Sequence, residues 1–265
     1  MSPGRAAAGS RPLRLLIVGA LVVLVGVVSF LVTVNRTAVT GHAPSTARSA
    51  SATEAVPSPT QSLDDIARAQ LSRTVTIEAL GSNNEGLGTG WLIDAKGDFV
   101  TNAHVIQGQM TVRIRGRDGG SHVGNVLGVD RDLDIAVIRS GDGFRGTPLQ
   151  TLSTAVKGLP APVVVLASSH ATGHGDFTDE SATGTQADVP VTSDTVTGQP
   201  PVTTVYHDML VLEGQAVYPG NSGGPVIDAQ GRVVGILTLA SKSNAQAYAI
   251  PLSRVLSELL AFAAK

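Results

Sequence analysis

A serine within a glycine-rich segment is the residue of this 265-residue chain best suited to covalent chemistry. Ser222 stands in the hexapeptide Gly-Asn-Ser-Gly-Gly-Pro, residues 220–225. Because glycine adopts positive φ without a Cβ clash, such a turn can point successive backbone N–H groups at one spot. The N–H groups of Gly220 and Ser222 would then form an oxyanion hole for a carbonyl that the Ser222 hydroxyl attacks. An ordinary turn between two strands is the alternative that this segment alone leaves open.

A serine hydroxyl is a weak nucleophile, so this prediction requires a histidine base and a carboxylate that orients the histidine. His104 follows a predicted strand at 98–101 among small residues, where its ring can emerge at the strand end. Asp134 directly precedes the β-rich run 135–139, and its carboxylate can accept the Nδ1 proton of His104. We therefore predict a catalytic triad of His104, Asp134 and Ser222.

Other residues compete for the same roles. Asp130 and Asp132 precede the same β-rich run as Asp134, although neither adjoins it directly. His122 and His207 lie in or before other predicted strands and lack the small-residue setting of His104. A lone histidine or aspartate is most often structural, so the prediction depends on the three residues together.

Composition and charge exclude several classes of protein. The chain has no cysteine, so disulfides and thiolate metal sites are unavailable, and we expect no cofactor. Five of the 19 basic residues precede Glu54, the first acidic residue, which leaves 14 basic against 21 acidic residues downstream. An acidic folded part argues against nucleic acid as a partner.

Short β-rich runs separated by glycine turns indicate an all-β fold, with one or two antiparallel barrels or a sandwich. Residues 62–70 begin with a serine cap and acidic residues and predict a short helix. Pro251 opens a final helix with an apolar stripe. The predicted strands are 74–80, 89–93, 98–101, 110–115, 122–129, 135–139, 163–167, 208–212, 225–227, 232–239 and 247–250.

The segment 168–201 breaks this rhythm with many Ser, Thr, Gly and Asp residues, and we expect a flexible surface loop with a brief strand at 181–186. His170 and His174 lie near Asp176 and Asp179, but no helix aligns them as ligands. We therefore predict no metal site here.

The N-terminal part predicts a membrane anchor. Residues 15–34 carry no charge over twenty positions, enough to cross a layer of about 30 Å. Three arginines precede this run, so we expect residues 1–14 in the cytoplasm and the rest of the chain outside. A cleaved signal peptide is the alternative, although its apolar region is normally shorter.

The composition predicts a flexible linker over residues 35–61 and the folded domain over residues 62–265.

The motifs resemble those of a known family. Thr-Asn-Ala-His-Val at 101–105, Asp-Ile-Ala-Val at 134–137 and the hexapeptide at 220–225 are similar to the HtrA/Deg branch of trypsin-like, chymotrypsin-fold serine proteases. The resemblance covers roughly residues 66–260 and implies two six-stranded antiparallel β-barrels with the triad in the cleft between them. Most HtrA proteins carry a C-terminal PDZ domain, and we expect this chain to lack one.

The resemblance also implies a specificity pocket. Ala216, six positions before Ser222, matches the pocket floor, and its lack of charge favours a small or medium apolar residue before the scissile bond. The pocket wall would comprise Gly235, Ile236, Leu237 and Thr238. An extended substrate would pair there as an added strand.

We therefore expect a membrane-tethered serine endopeptidase that cleaves extended or unfolded polypeptides. The alternative is an anchored binding or scaffold module that has kept the fold and lost the chemistry. An α/β-hydrolase is disfavoured because the order Ser, Asp, His is absent.

Overall fold

Alternation of apolar and polar residues builds the first of two β-barrels. The computed structural model describes residues 61–80, 85–144, 146–174, 176–192, 203–215, 217–241 and 246–265, all within one compact unit, Val56–Lys265. Helix α1 (Leu63–Gln70) precedes the barrel, and Ser62, the predicted cap, forms a capping box with Asp65. The strands are β1 (Thr74–Leu80), β2 (Glu85–Leu92), β3 (Asp98–Thr101), β4 (Thr111–Arg115), β5 (Ser121–Asp130) and β6 (Ile135–Ser140).

These six strands close in the order β1-β2-β3-β6-β5-β4. Every second residue of β1 points inward, so that Val75, Ile77 and Ala79 join the barrel core with Phe99 and Ile138. The pairing of β3 with β6 places Thr101 opposite Ala136. The loop after β3 and the residue before β6 therefore emerge at the same barrel edge.

The second barrel has the same number of strands. Its order is β11-β8-β9-β10-β13-β12, closed by pairing of β11 with β12, and the short β7 (Gln150–Thr151) adds in parallel to β12. The strands are β8 (Ala161–Leu166), β9 (Phe177–Thr192), β10 (Thr203–Gly214), β11 (Pro225–Asp228), β12 (Arg232–Ala240) and β13 (Gln246–Pro251). The expectation of two six-stranded antiparallel barrels is confirmed.

A third apolar cluster fills the space between the barrels. Trp91 and Val137 enter it from the first barrel, and Ile227 and Ile236 enter it from the second. The C-terminal helix α3 (Leu252–Ala263) buries Leu252, Val255 and Leu259 in the same cluster, as its apolar stripe predicts. The helix therefore packs on the core that joins the two barrels.

The prediction of a flexible loop at 168–201 is wrong for much of that segment. A short helix α2 (Ser169–Thr172) is followed by the sixteen-residue strand β9, which pairs with β10 along its length. Beyond Ala182, Val189 is buried and Val191 is half-buried, whereas Gln186, Asp188 and Pro190 are exposed, so burial of one face adds to the backbone pairing with β10. The polar residues on the exposed face give this strand the composition of a loop.

No helix among the described residues has the length and apolarity to cross a membrane. The predicted anchor, residues 15–34, and nearly all of the predicted linker lie outside those residues.

Candidate active site

His104 and Asp134 meet where β3 ends and β6 begins. His104 Nδ1 lies 2.7 Å from Asp134 Oδ2, and the His104 backbone N–H donates to Asp134 Oδ1 at 2.9 Å. Asp134 has a left-handed backbone, φ 55°, and its side chain is 5% exposed against 40% for that of His104. The carboxylate thus fixes the ring with Nδ1 inward, which leaves Nε2 facing the solvent side.

The competing residues occupy other places. Asp130 Oδ1 accepts the backbone N–H groups of Asp132 and Leu133 and so builds the turn before β6. His122 pairs with Asp142, and His207 pairs with Asp188, in each case on the surface. Of the histidines compared, His104 is the one that contacts Asp134.

Asn102 links this pair to the second barrel. Its side-chain Nδ2 donates to the Asp134 carbonyl at 2.9 Å and to Thr238 Oγ1, on β12, at 3.0 Å. Asn102 is fully buried, so both bonds are shielded from water. The backbone of Asp134 is therefore tied to the strand that lies beside Ser222.

The segment around Ser222 forms a tight turn that needs two of its glycines. Gly220 has φ 97° and Gly223 has φ 84°. A Cβ at Gly220 would overlap the carbonyl oxygen of Ala171, and one at Gly223 would overlap that of Thr89. Glycine is required at both positions by conformation and by space.

The turn leaves two N–H groups without an acceptor. Those of Asn221, Gly223 and Gly224 donate to carbonyl oxygens. Those of Gly220 and Ser222 donate to no acceptor within the described part of the chain. An oxyanion hole requires two such donors.

Ser222 lies against the strands that lead to His104. Its carbonyl oxygen accepts the N–H of Thr89 at 2.8 Å, and the adjoining Gly223 packs against Thr101 and Asn102. The Ser222 hydroxyl lies 3.4 Å from the Thr238 carbonyl oxygen. Among the contacts of the described residues, no hydrogen bond joins this hydroxyl to His104.

A chain of buried hydroxyl groups, which sequence reasoning missed, holds the turn on the first barrel. Thr76 Oγ1 and Ser168 Oγ share a hydrogen bond of 2.6 Å, and the Ser168 N–H donates to Thr89 Oγ1 at 3.0 Å. Thr89 Oγ1 in turn donates to the Gly220 carbonyl at 2.8 Å. The chain fixes the orientation of the peptide next to the free N–H groups.

Helix α2 supports the turn from the other side. Arg117, from the β4–β5 turn, forms a bidentate ion pair with Asp176 at 2.7 and 2.8 Å, which lowers the pKa of Asp176 to about 2. Asp176 also accepts the N–H of Ser169, the first residue of α2. The ring of His174 stacks on Tyr218 at 3.8 Å.

The described residues contain no group of side chains that could hold a metal ion.

Tyr206, on β10, is a second residue that sequence reasoning missed. Its hydroxyl lies 3.5 Å from Asp134 Oδ2. Burial, together with the nearby charge of Asp134, raises the pKa of Tyr206 to about 12, so the hydroxyl stays a hydrogen-bond donor. No local motif identifies this residue, because it lies in the first part of β10, before the predicted strand 208–212.

The residues predicted to form the specificity pocket, as far as the structure describes them, lie in different parts of the fold. Ala216 lies outside the described residues. Ile236 packs in the core between the barrels and Leu237 inside the second barrel, while the Gly235 backbone adjoins Ile250. Of the four wall residues, Thr238 presents its carbonyl to Ser222.

Two six-stranded barrels with a histidine–aspartate pair beside a glycine-rich serine turn define the trypsin-like class of peptidase. The chain belongs to the trypsin-like peptidase domain family, whose model matches residues 88–236. The chain resembles a serine protease HtrA-like of Staphylococcus epidermidis, with 27% identity over 259 residues, 92% of this chain and 43% of the relative. Protease Do-like 1, chloroplastic, of Arabidopsis thaliana is 30% identical over 180 residues, 64% of this chain and 38% of the relative.

A solved structure is also similar. The active form of the Rv3671c protease from M. tuberculosis superimposes with a TM-score of 0.59 and 25% identity, over 82% of this chain and 93% of that one. The chain spans about two fifths of the length of the curated relatives named above. Family and relatives together support a serine endopeptidase.

Proposed function

We propose that this protein is a serine endopeptidase in which His104, Asp134 and Ser222 act as a catalytic triad. The observation that carries the proposal is the His104–Asp134 pair, oriented by two hydrogen bonds, at the edge where the glycine turn of Ser222 packs on β2 and β3. The trypsin-like family assignment supports the same reaction class.

The proposed mechanism uses groups that the geometry provides. Ser222 Oγ attacks the carbonyl carbon of the scissile bond, while His104 Nε2 takes the hydroxyl proton. The N–H groups of Gly220 and Ser222 donate hydrogen bonds to the carbonyl oxygen, on which negative charge develops. His104 then delivers its proton to the departing amine, and a water molecule hydrolyses the acyl-enzyme with His104 again as base. We expect Ser222 Oγ to turn from the Thr238 carbonyl toward His104 when substrate binds.

We propose that the substrate is a polypeptide in extended conformation, with a small or medium apolar residue before the scissile bond. The uncharged Ala216 supports this preference.

We further propose that residues 15–34 anchor the chain in a membrane with the protease domain on the non-cytoplasmic side. Protease protection of sealed vesicles, with an antibody to each end of the chain, tests this orientation.

The activity is tested with the full-length chain in detergent and a fluorophosphonate probe. We expect the probe to label Ser222 and the protein to hydrolyse unfolded casein, and we expect Ser222→Ala to abolish both. Intact wild-type protein that neither labels nor cleaves would contradict the proposal.

A second candidate is a binding module of the same fold without catalysis. The hydrogen bond of Ser222 to Thr238, rather than to His104, is the observation that favours it. This candidate predicts that the full-length protein binds extended peptides and fails to react with the probe.

A further inference from the structure

A cleft of about 410 Å³ opens beside the His104–Asp134 pair, and its lining includes none of the residues predicted for the specificity pocket. Both barrels contribute to it, so a chain lying between the barrels would meet it next to the reacting bond. Two of its residues, Thr204 and Tyr206, come from the β9–β10 hairpin. The lining residues are Ala103, His104, Gln107, Gly108, Arg131, Asp134, Thr204 and Tyr206.

Arg131 supplies the positive charge of this cleft. Its side chain is exposed, and a Cβ built on Gly108 would stand 3.4 Å from its Nη2 atom, so the guanidinium lies over the loop that follows His104. Within the described ranges, no carboxylate forms an ion pair or hydrogen bond with Arg131. Arg117 and Arg139, by contrast, are each paired with an aspartate.

Two carboxylates near the cleft, those of Asp134 and Asp130, are already engaged in other hydrogen bonds. Both oxygens of Asp134 bind His104, and Asp130 Oδ1 accepts two backbone N–H groups of its own turn. Besides Arg131, the charged or titratable groups that line the cleft are His104, Asp134 and Tyr206. The guanidinium therefore faces the cleft with its donors available, beside the exposed polar side chains of Gln107 and Thr204.

We infer that this cleft binds an acidic side chain, Asp or Glu, of the polypeptide substrate within a few residues of the scissile bond, and that Arg131 determines this preference. The inference rests on the proposed endopeptidase function and adds a second specificity site to it. A planar guanidinium binds a carboxylate through two parallel N–H···O bonds, which a neutral side chain of the same shape cannot reproduce. Because Arg131 is exposed, the ion pair should change kcat/KM by about two- to fivefold and weaken as salt increases.

The test measures kcat/KM of the full-length chain in detergent on peptides that place Glu, Gln or Lys at each position around one scissile bond. Glu and Gln have the same shape, so their ratio isolates the charge. We expect wild-type protein to prefer Glu over Gln at one position, Arg131→Gln to abolish that preference, and Arg131→Glu to favour Lys there. Lys157→Glu is the matched control, since Lys157 lines a different pocket with Leu152 and Asp228.

Fluorophosphonate labelling of Ser222 separates the subsite from the catalytic machinery. Arg131→Gln and Arg131→Glu should still label at Ser222, because Arg131 forms no hydrogen bond with His104 or Ser222 in the described structure. A Glu-to-Gln ratio near one at every position, or a ratio unchanged in both Arg131 variants, would overturn the subsite while the endopeptidase assignment stands. Wild-type protein that neither labels nor cleaves would overturn both.

Discussion

Gly223 shows at the scale of one residue how the nucleophile turn depends on glycine. Its φ is 84°, and a Cβ there would overlap the Thr89 carbonyl oxygen and crowd Thr101. We predict that Gly223→Ala displaces the turn from β2 and β3, which lowers the rate of fluorophosphonate labelling by at least about a hundredfold, as loss of an oxyanion donor does. Labelling kinetics on folded protein measure this.

Gly143 provides the control for that variant. Its φ is 83°, nearly the same, but nothing lies within 4 Å of a Cβ built there. Gly143→Ala should therefore lower the unfolding free energy by about 1–2 kcal/mol, the cost of holding an alanine in the left-handed region, and leave labelling unchanged. Equal labelling by Gly143→Ala and Gly223→Ala would show that the turn does not need its close approach to Thr89.

Sequence alone predicts roles for the residues with the most distinctive chemistry and misses the residues that contact them. His104, Asp134 and Ser222 stand in motifs, and their neighbours on the chain suggested their roles. Thr89 and Tyr206 act through contacts with residues more than 70 positions away. Such roles depend on the pairing of strands, which no local pattern specifies.

At the scale of elements, the pattern of buried and exposed side chains determines which strands the sequence predicts. β1 carries apolar side chains at alternate positions, Val75, Ile77 and Ala79, which enter the barrel core, and its bounds at 74–80 were predicted correctly. In β9, Thr178, Glu180 and Ala182 are buried, and farther along Val189 is buried between exposed polar residues. These polar residues gave the outer half the composition of a loop, although it pairs with β10.

Glu180 gives the second barrel a pH-dependent stability. The residue is 6% exposed, its Oε1 has no partner among the described residues, and burial raises its pKa to about 7. The native state therefore holds a proton that the unfolded chain, with an ordinary pKa of 4.5, releases earlier. The unfolding free energy should fall by about 3 kcal/mol as the pH rises from 4.5 to 7 and then level off.

Glu180→Gln should remove this dependence, and urea unfolding at a series of pH values measures it. Relative to wild type, the variant should gain stability as the pH rises from 5 to 8. Glu213→Gln, at an exposed site on the neighbouring strand β10, is the control and should follow the wild-type curve. A parallel pH dependence in wild type and Glu180→Gln would contradict a protonated, buried Glu180.

At the scale of the whole molecule, helix α3 and the apolar cluster between the barrels hold the two halves of the site together. Leu259 is fully buried in that cluster, whereas the adjacent Leu260 is 50% exposed. We predict that Leu259→Ala lowers the unfolding free energy by about 2–5 kcal/mol, because it leaves a cavity in the shared core.

Leu260→Ala is the control within the same helix turn and should cost less than about 1 kcal/mol. Denaturant unfolding followed by two probes, tryptophan fluorescence of Trp91 and far-ultraviolet circular dichroism, measures both variants. Equal losses in the two variants would mean that α3 does not contribute its buried face to the core.

The central claim is that His104, Asp134 and Ser222 act as one catalytic unit, and the second-order rate constant for fluorophosphonate labelling of Ser222 tests it most directly. We predict that His104→Ala lowers this constant by at least about a thousandfold and that Asp134→Asn lowers it by at least about a hundredfold. Asp130→Asn, which alters a neighbouring carboxylate that does not contact His104, should remain within about threefold of wild type. Labelling of His104→Ala at the wild-type rate would contradict the account.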